Sequence, residues 1–239
     1  VSKFTHPGVH GLGPTATPMR ADGKGLGIHH DGLMHVMVEG PSMRALIDDT
    51  NSIYGRRYIT LTAATLAWSF YVDPNTATML ADGYVVLNRL HLSSLPNRLA
   101  DVVLYYSGGY NVRFDAYEDS GAIINSSLYT ITDAPHKIAV TLSRATSASA
   151  DDGQMLVYVD SVLKETISGL DNWDAWLLIT DLMLGAVYMS NAGVSGTLYL
   201  DELLANQSGA VTPPAPTDPH IVLSCRVVLS GTIVVGKVT

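Results

Sequence analysis

Four glutamates, Glu39, Glu118, Glu165 and Glu202, are the first residues to weigh for chemistry, because hydrolysis of a glycosidic bond needs two carboxyl groups facing one cleft. None of them has a second carboxylate two residues away, where an extended strand would present both on one face. Asp115 and Asp119 are four residues apart, which at ~3.3 Å per residue separates them by about 13 Å, too far for that reaction. No Gly-x-Ser-x-Gly elbow occurs, and no Cys/His pair has the local context of a nucleophile. His29, His30, Asp31 and His35 are the densest group of metal-ligating types, but their spacing matches no established site and a solvated turn accounts for them equally, so no metal is assigned. Trp173 and Trp176 flank Asp174 in the segment Leu170–Leu178. Exposed, they would form a platform on which a sugar stacks; buried, they would plug the rim of a core. Tyr105, Tyr106, Tyr110 and Tyr117 could line a concave face, although alternating tyrosine is also ordinary strand composition.

The elements that must position these residues read as short strands. Alternating runs cover Met43–Ile47, Leu61–Val72, Tyr84–Leu92, Asp101–Tyr106, Asn111–Tyr117, His136–Ser143, Met155–Val159, Leu163–Ile167, Leu182–Tyr188 and Thr197–Ala205. Between them stand Asp73-Pro74-Asn75, Ser107-Gly108-Gly109, Asp119-Ser120-Gly121 and Asp151-Asp152-Gly153, residue types that turn a chain because Asp and Asn tolerate left-handed backbone and Gly prefers no hand. No convincing helix is expected. The fold class is all-β, an antiparallel sandwich over residues 43–207, preceded by a Gly/Pro/His-rich irregular arm with a first short strand over residues 1–42.

Residues 208–219 are Pro-rich and read as an extended linker. In residues 220–239, Ile221, Leu223, Val227 and Leu229 alternate onto one face, and Ile233 and Val235 continue the apolar pattern beyond a turn at Ser230-Gly231. A two-stranded ribbon of this kind is marginal alone in water, so it must dock, either on its own sandwich or on a neighbouring chain by strand addition.

Bulk properties narrow the partners. With 14 basic against 22 acidic residues the formal net charge is −8, and phosphate binding, which needs clustered cations, is not expected; nucleic acid is excluded as a partner. Charged residues make up only 15% of the chain and mean hydropathy is +0.20, so much of the surface is uncharged or covered by other subunits. A single cysteine, Cys225, permits no intrachain disulfide, and no run of ~18 apolar residues could span a membrane as a helix.

The order IAVTLSRA, GQMLVYVDSVLKETISGLDN, LMLGA and SGTLYLDELLANQ over Ile138–Gln207 resembles the concanavalin A-like lectin/glucanase jelly roll, and within it the laminin-G-like domains of secreted bacterial and phage virion proteins. Its marks are the strand ending in Tyr158-Val159-Asp160, the Leu184-Gly185 strand end and the closing Leu200-Asp201-Glu202 strand. Ser161 stands where relatives usually carry Gly. Enzymes of this kind would show Glu-x-Asp-x-Glu on one strand, or for alginate lyases Arg-x-Glu-x-Arg and Gln-x-His; none is present, and the chain is expected not to be an enzyme. Calcium is the one cofactor the resemblance brings in, with Asp151, Asp152, Asp171 and Asn172 on the loops that would hold it. The resulting expectation is a non-enzymatic, self-assembling subunit of a virion or extracellular structure, a homo-oligomer whose residues Ile221, Leu223, Val227, Leu229, Ile233 and Val235 contact neighbouring copies. The alternative is a secreted carbohydrate-binding module that takes glycan at Trp173 and Trp176.

Overall fold

The computed structural model describes residues 27–30, 36–37, 43–47, 51–59, 61–80, 82–94, 98–190 and 193–207. They form an antiparallel β-sandwich, as expected. One sheet holds β1 (Gly27–His30), β4 (Ile53–Tyr58), β14 (Ile179–Met189), β6 (Tyr84–Leu92), β7 (Arg98–Tyr106), β8 (Tyr110–Tyr117) and β10 (Tyr129–Thr130) in that spatial order, with β9 (Ile123–Asn125) also paired to β8. The other holds β13 (Val162–Leu170), β12 (Gly153–Val159), β11 (His136–Ser143), β5 (Thr65–Asp73), β15 (Gly196–Asn206), β3 (Met43–Ile47) and β2 (Val36–Met37).

Every second residue of the long strands enters the space between the sheets, because successive side chains of a strand point to opposite faces. Leu66, Trp68 and Phe70 of β5 meet Leu87 and Leu90 of β6 and Phe114 of β8 in one continuous apolar core. Each such side chain, fully withdrawn from water, stabilises the fold by about 1.5–3 kcal/mol. One polar residue is admitted to that layer. Asn88 sits where the β6 register shifts, accepts the Trp68 indole N–H at 2.7 Å and donates to the Met183 carbonyl at 2.6 Å, so both sheets share it.

Several elements depart from the sequence expectation, among them the short strands β9 and β10, where none is expected. The strand β4, IYGRRY, lies where no strand is expected, because it carries Gly55 and two arginines in place of an apolar alternation. A single helical turn, α1 (Trp173–Trp176), replaces plain loop, since the Asp119 carboxylate accepts the Asp174 and Ala175 backbone N–H groups at 2.8 and 2.7 Å. Within the segment expected to be an arm, β1 extends the larger sheet by pairing with β4, and β2 pairs with β3. No helix among the described residues is long and apolar enough to cross a membrane. Residues 208–239, with Ile221, Leu223, Val227, Leu229, Ile233 and Val235, lie outside the described residues.

Candidate functional site

The outward face of the eight-stranded sheet is not an ordinary solvated surface. A second apolar cluster lies there, separate from the core: Val86 of β6, Val103 of β7, and Met183 and Val187 of β14, all buried, with Tyr54, Tyr84 and Tyr105 packed against them. Tyr84 and Tyr105 are direct cross-strand partners with ring centroids 5.3 Å apart, and Tyr188 approaches Tyr84 at 5.9 Å. These four side chains therefore form a covered apolar layer, with tyrosines packed over it. Burial, and then the neighbouring Tyr188, push the Tyr84 hydroxyl above its ordinary value, so it stays protonated and available as a donor.

Charged residues continue this face in cross-strand rows. Arg56, Met183, Arg89, Asp101, Asp115 and Asn125 lie in register from β4 through β14, β6, β7 and β8 to β9. At ~4.8 Å between strands, such a row spans about 24 Å. Arg89 grips Asp101 through two bonds of 2.8 Å, and Arg113 grips Asp115 through bonds of 2.7 and 2.8 Å. Such forked pairs fix both partners and leave remaining guanidinium N–H groups to donate elsewhere. Burial raises the Asp115 carboxyl against the pull of Arg113, with the facing Asp101 adding to the rise. Arg113 also lies over the Tyr105 ring at 4.6 Å, and Arg98 over the Tyr117 ring at 4.7 Å.

A parallel row one step along the strands holds Tyr58, Asp181, His91 and Arg98, each the register partner of the next. Asp181 is buried and accepts from the Thr180 hydroxyl at 2.8 Å; His91 Nδ1 stands 3.3 Å from one of its oxygens and Arg56 Nε 3.8 Å from the other. Burial works to raise this carboxyl, but His91, Thr180 and Arg56 together outweigh it and hold it below its ordinary value. Arg56 also donates to the Tyr58 hydroxyl. The Tyr58 end of the row opens into a cavity of about 490 Å³ whose lining includes Thr62, Arg144, Trp176 and Thr180.

Backbone shape adds one requirement. Gly185, at φ 151°, lies against β4 so closely that a Cβ there would meet the Ile53 carbonyl oxygen at 2.0 Å. The bare backbone at that point brings β4, with its Tyr54, Arg56 and Tyr58, against β14.

The residues singled out from the sequence are distributed as follows. Trp176 is buried at 2% exposure, with its indole N–H donating to the Ala63 carbonyl at 3.1 Å; Trp173 is half-buried beneath the Arg144 guanidinium, 3.9 Å from its ring. Of the four tyrosines considered for a concave face, Tyr105 and Tyr117 belong to the outward face of the larger sheet, while Tyr106 and Tyr110 pack against the core. Asp152 accepts from the Thr146 backbone and hydroxyl at 2.7 Å each, and buried Asn172 accepts from the Ala145 N–H at 2.7 Å and donates to the Ser143 carbonyl at 3.2 Å. Burial, with the nearby Asp119, Asp151 and Glu118, raises the Asp171 carboxyl. His29 and His30 fall in β1, and Asp31 and His35 lie outside the described residues. Among the described residues no three His, Cys, Asp or Glu side chains gather as a metal-ligating set.

The sequence reading passed over Arg56, Tyr58, Arg89, His91, Arg98, Asp101, Arg113 and Asp181. Their signal was present as polar residues two apart, Arg89-x-His91 on β6 and Arg113-x-Asp115-x-Tyr117 on β8.

No protein-family model matches the chain, and no curated protein does. Solved structures share its fold. An alginate lyase, vAL-1, from Chlorella virus matches with a TM-score of 0.53 at 12% identity, over 75% of this chain and 93% of that one. The receptor binding domain of botulinum neurotoxin D matches with a TM-score of 0.53 at 10% identity, over 80% of this chain and 46% of that one. The alginate lyase Aly36B matches with a TM-score of 0.50 at 12% identity, over 76% of this chain and 86% of that one. These likenesses establish a β-sandwich of jelly-roll type. They also correct the expectation that the chain is not an enzyme, because the fold is shared with alginate lyases. That expectation rested on motifs along single strands, whereas the sheet assembles titratable groups across strands, where a one-strand motif cannot register them.

Proposed function

We propose that the protein binds a glycan along the outward face of its eight-stranded sheet. The observation that carries this reading is the tyrosine layer of Tyr54, Tyr84, Tyr105 and Tyr188, which lies over the buried Val86, Val103, Met183 and Val187 and is bounded by forked Arg–Asp pairs. A sugar ring has apolar C–H faces and a girdle of hydroxyls; the first pack on exposed aromatic rings, the second bond to tyrosine hydroxyls and to the guanidinium N–H groups that the forked pairs leave open. The row length of about 24 Å suits several units of a linear polymer lying across the strands. The resemblance of Ile138–Gln207 to lectin-type jelly rolls and the alginate lyases among the fold's solved structures favour a polysaccharide over a small molecule. Such a ligand is met outside the cell or on a virion surface.

Affinity electrophoresis through gels containing soluble polysaccharides tests the reading. Tyr84→Ala and Tyr105→Ala each weaken binding about tenfold, the equivalent of ~1.4 kcal/mol. Unchanged mobility shifts in both variants contradict it, and loss of binding in Trp173→Ala alone moves the site to the α1 loop.

A further inference from the structure

The cavity at the Tyr58 end of the sandwich is lined by none of the four tyrosines of the glycan reading. It holds about 490 Å³, within the range of about 300–1,000 Å³ in which proteins bury small ligands. Both sheets supply its walls: Tyr58 ends β4 and Ile179 opens β14, whereas Ala63 and Ala64 lead into β5 and Arg144 leaves β11. Aliphatic side chains dominate the lining, with Ile59, Leu61, Leu177 and Ile179 beside Trp176. Leu177 is 64% exposed and Leu178 next to it 36%, so apolar surface continues from the cavity out to solvent.

One residue of the lining carries a charge, and among the described residues it has no carboxylate partner. Arg144 lies over the Trp173 ring at 3.9 Å, a contact that covers one face of the guanidinium, and its Nε is buried without an acceptor. The neighbouring donors are already used. The Trp176 indole N–H bonds to the Ala63 carbonyl, the Thr62 hydroxyl to the Gln207 carboxamide oxygen and the Thr180 hydroxyl to the Asp181 carboxylate. A buried charged donor with no acceptor is a cost that a native fold rarely carries without a use. Elsewhere in this protein Arg89 and Arg113 each grip a carboxylate through Nε and Nη2. Arg144 has the same fork.

We propose that this cavity binds a free alkyl carboxylate, a fatty acid of medium chain length, with its carboxylate on Arg144 and its chain along Leu61, Ile179 and Leu177. The inference goes beyond the glycan reading and does not depend on it. The donor set decides the head group: one planar guanidinium matches one carboxylate through two parallel bonds, whereas phosphate draws several cations or a row of backbone N–H groups. The walls decide the body. Aliphatic side chains offer nothing to the hydroxyls of a sugar, but they take methylene groups, each of which gains on leaving water. Partly withdrawn from water, an uncompensated cation attracts an anion more strongly than it would on an open surface.

The test titrates the full chain with decanoate and with its neutral counterpart decanol, below the concentration at which either aggregates. Tryptophan emission reports binding, because Trp176 lines the cavity and Trp173 lies under Arg144. Decanoate binds saturably and shifts the emission, and decanol binds at least about tenfold more weakly because the charge-assisted bonds are missing. Arg144→Met weakens decanoate by about tenfold or more and leaves decanol unchanged. Leu177→Glu, at an exposed position that tolerates substitution, sets a like charge beside the ligand and weakens decanoate as well, whereas Leu177→Met keeps it. Absence of saturable decanoate binding overturns the inference, and so does equal affinity for decanoate and decanol. Wild-type decanoate affinity in Arg144→Met or in Leu177→Glu also overturns it. Polysaccharide retardation in affinity gels is read separately: its absence overturns the glycan reading and leaves the cavity assignment standing.

Discussion

Asn88 is the residue on which the outward face and the core depend together. It sits at the β6 register shift and accepts the hydrogen bond of the Trp68 indole N–H. Asn88→Leu leaves that buried N–H unpaired and costs about 1–3 kcal/mol, read as a lower urea midpoint with an unchanged slope. A second buried polar group works in the opposite sense. Burial, opposed by a bond from the Glu202 N–H at 2.6 Å, pushes the Asp201 carboxyl from 3.8 up to about 6. The folded state therefore holds this proton more tightly than the unfolded chain does, so the group's stabilisation is full below about pH 3.8 and is lost as pH rises through about 6. Asp201→Asn removes this loss: thermal melting shows the variant gaining on the wild type between pH 4 and pH 7.

Strands divide between those legible in the sequence and those that had to be seen. The expected limits of β3, β6 and β11 coincide with the observed ones, because each alternates apolar and polar residues and turn residues punctuate the chain around it. The strand β4 escaped for a physical reason: its outward residues Tyr54, Arg56 and Tyr58 belong to the candidate site, and Gly55 lowers its strand propensity. Site residues on β6 and β8, and Asp101 on β7, were legible as polar positions of expected strands, whereas Arg98 precedes the expected start at Asp101; a polar residue facing a groove also has the same sequence signature as one facing water. Their convergence is a property of register, as with Asp101 and Asp115, fourteen residues apart and directly opposed. Gly185→Ala tests the β4–β14 contact: the new Cβ meets the Ile53 carbonyl, and soluble yield and melting temperature both fall. At the other edge, Glu165 of β13 accepts from the Ser127 N–H at 2.9 Å and from the Tyr129 hydroxyl of β10, joining the two sheets. The Tyr129 bond, then Ser127, holds this carboxyl below its ordinary 4.5, so its contribution is present above that value and is lost as the solution is acidified through the depressed one. Glu165→Gln lowers stability at pH 7 by about 1 kcal/mol and flattens the acid limb of the melting curve.

Taken whole, the molecule has a net negative charge, while among the described residues its outward face carries Arg56, Arg89, Arg98 and Arg113 beside Asp101, Asp115 and Asp181. The most direct test of the central claim is a crystal structure of the full chain with an oligosaccharide of a polymer that it binds. The account predicts sugar density across the strands, over the rings of Tyr84, Tyr105 and Tyr188. Sugar bound only in the Trp173 loop, or an empty outward face at saturating ligand, contradicts it.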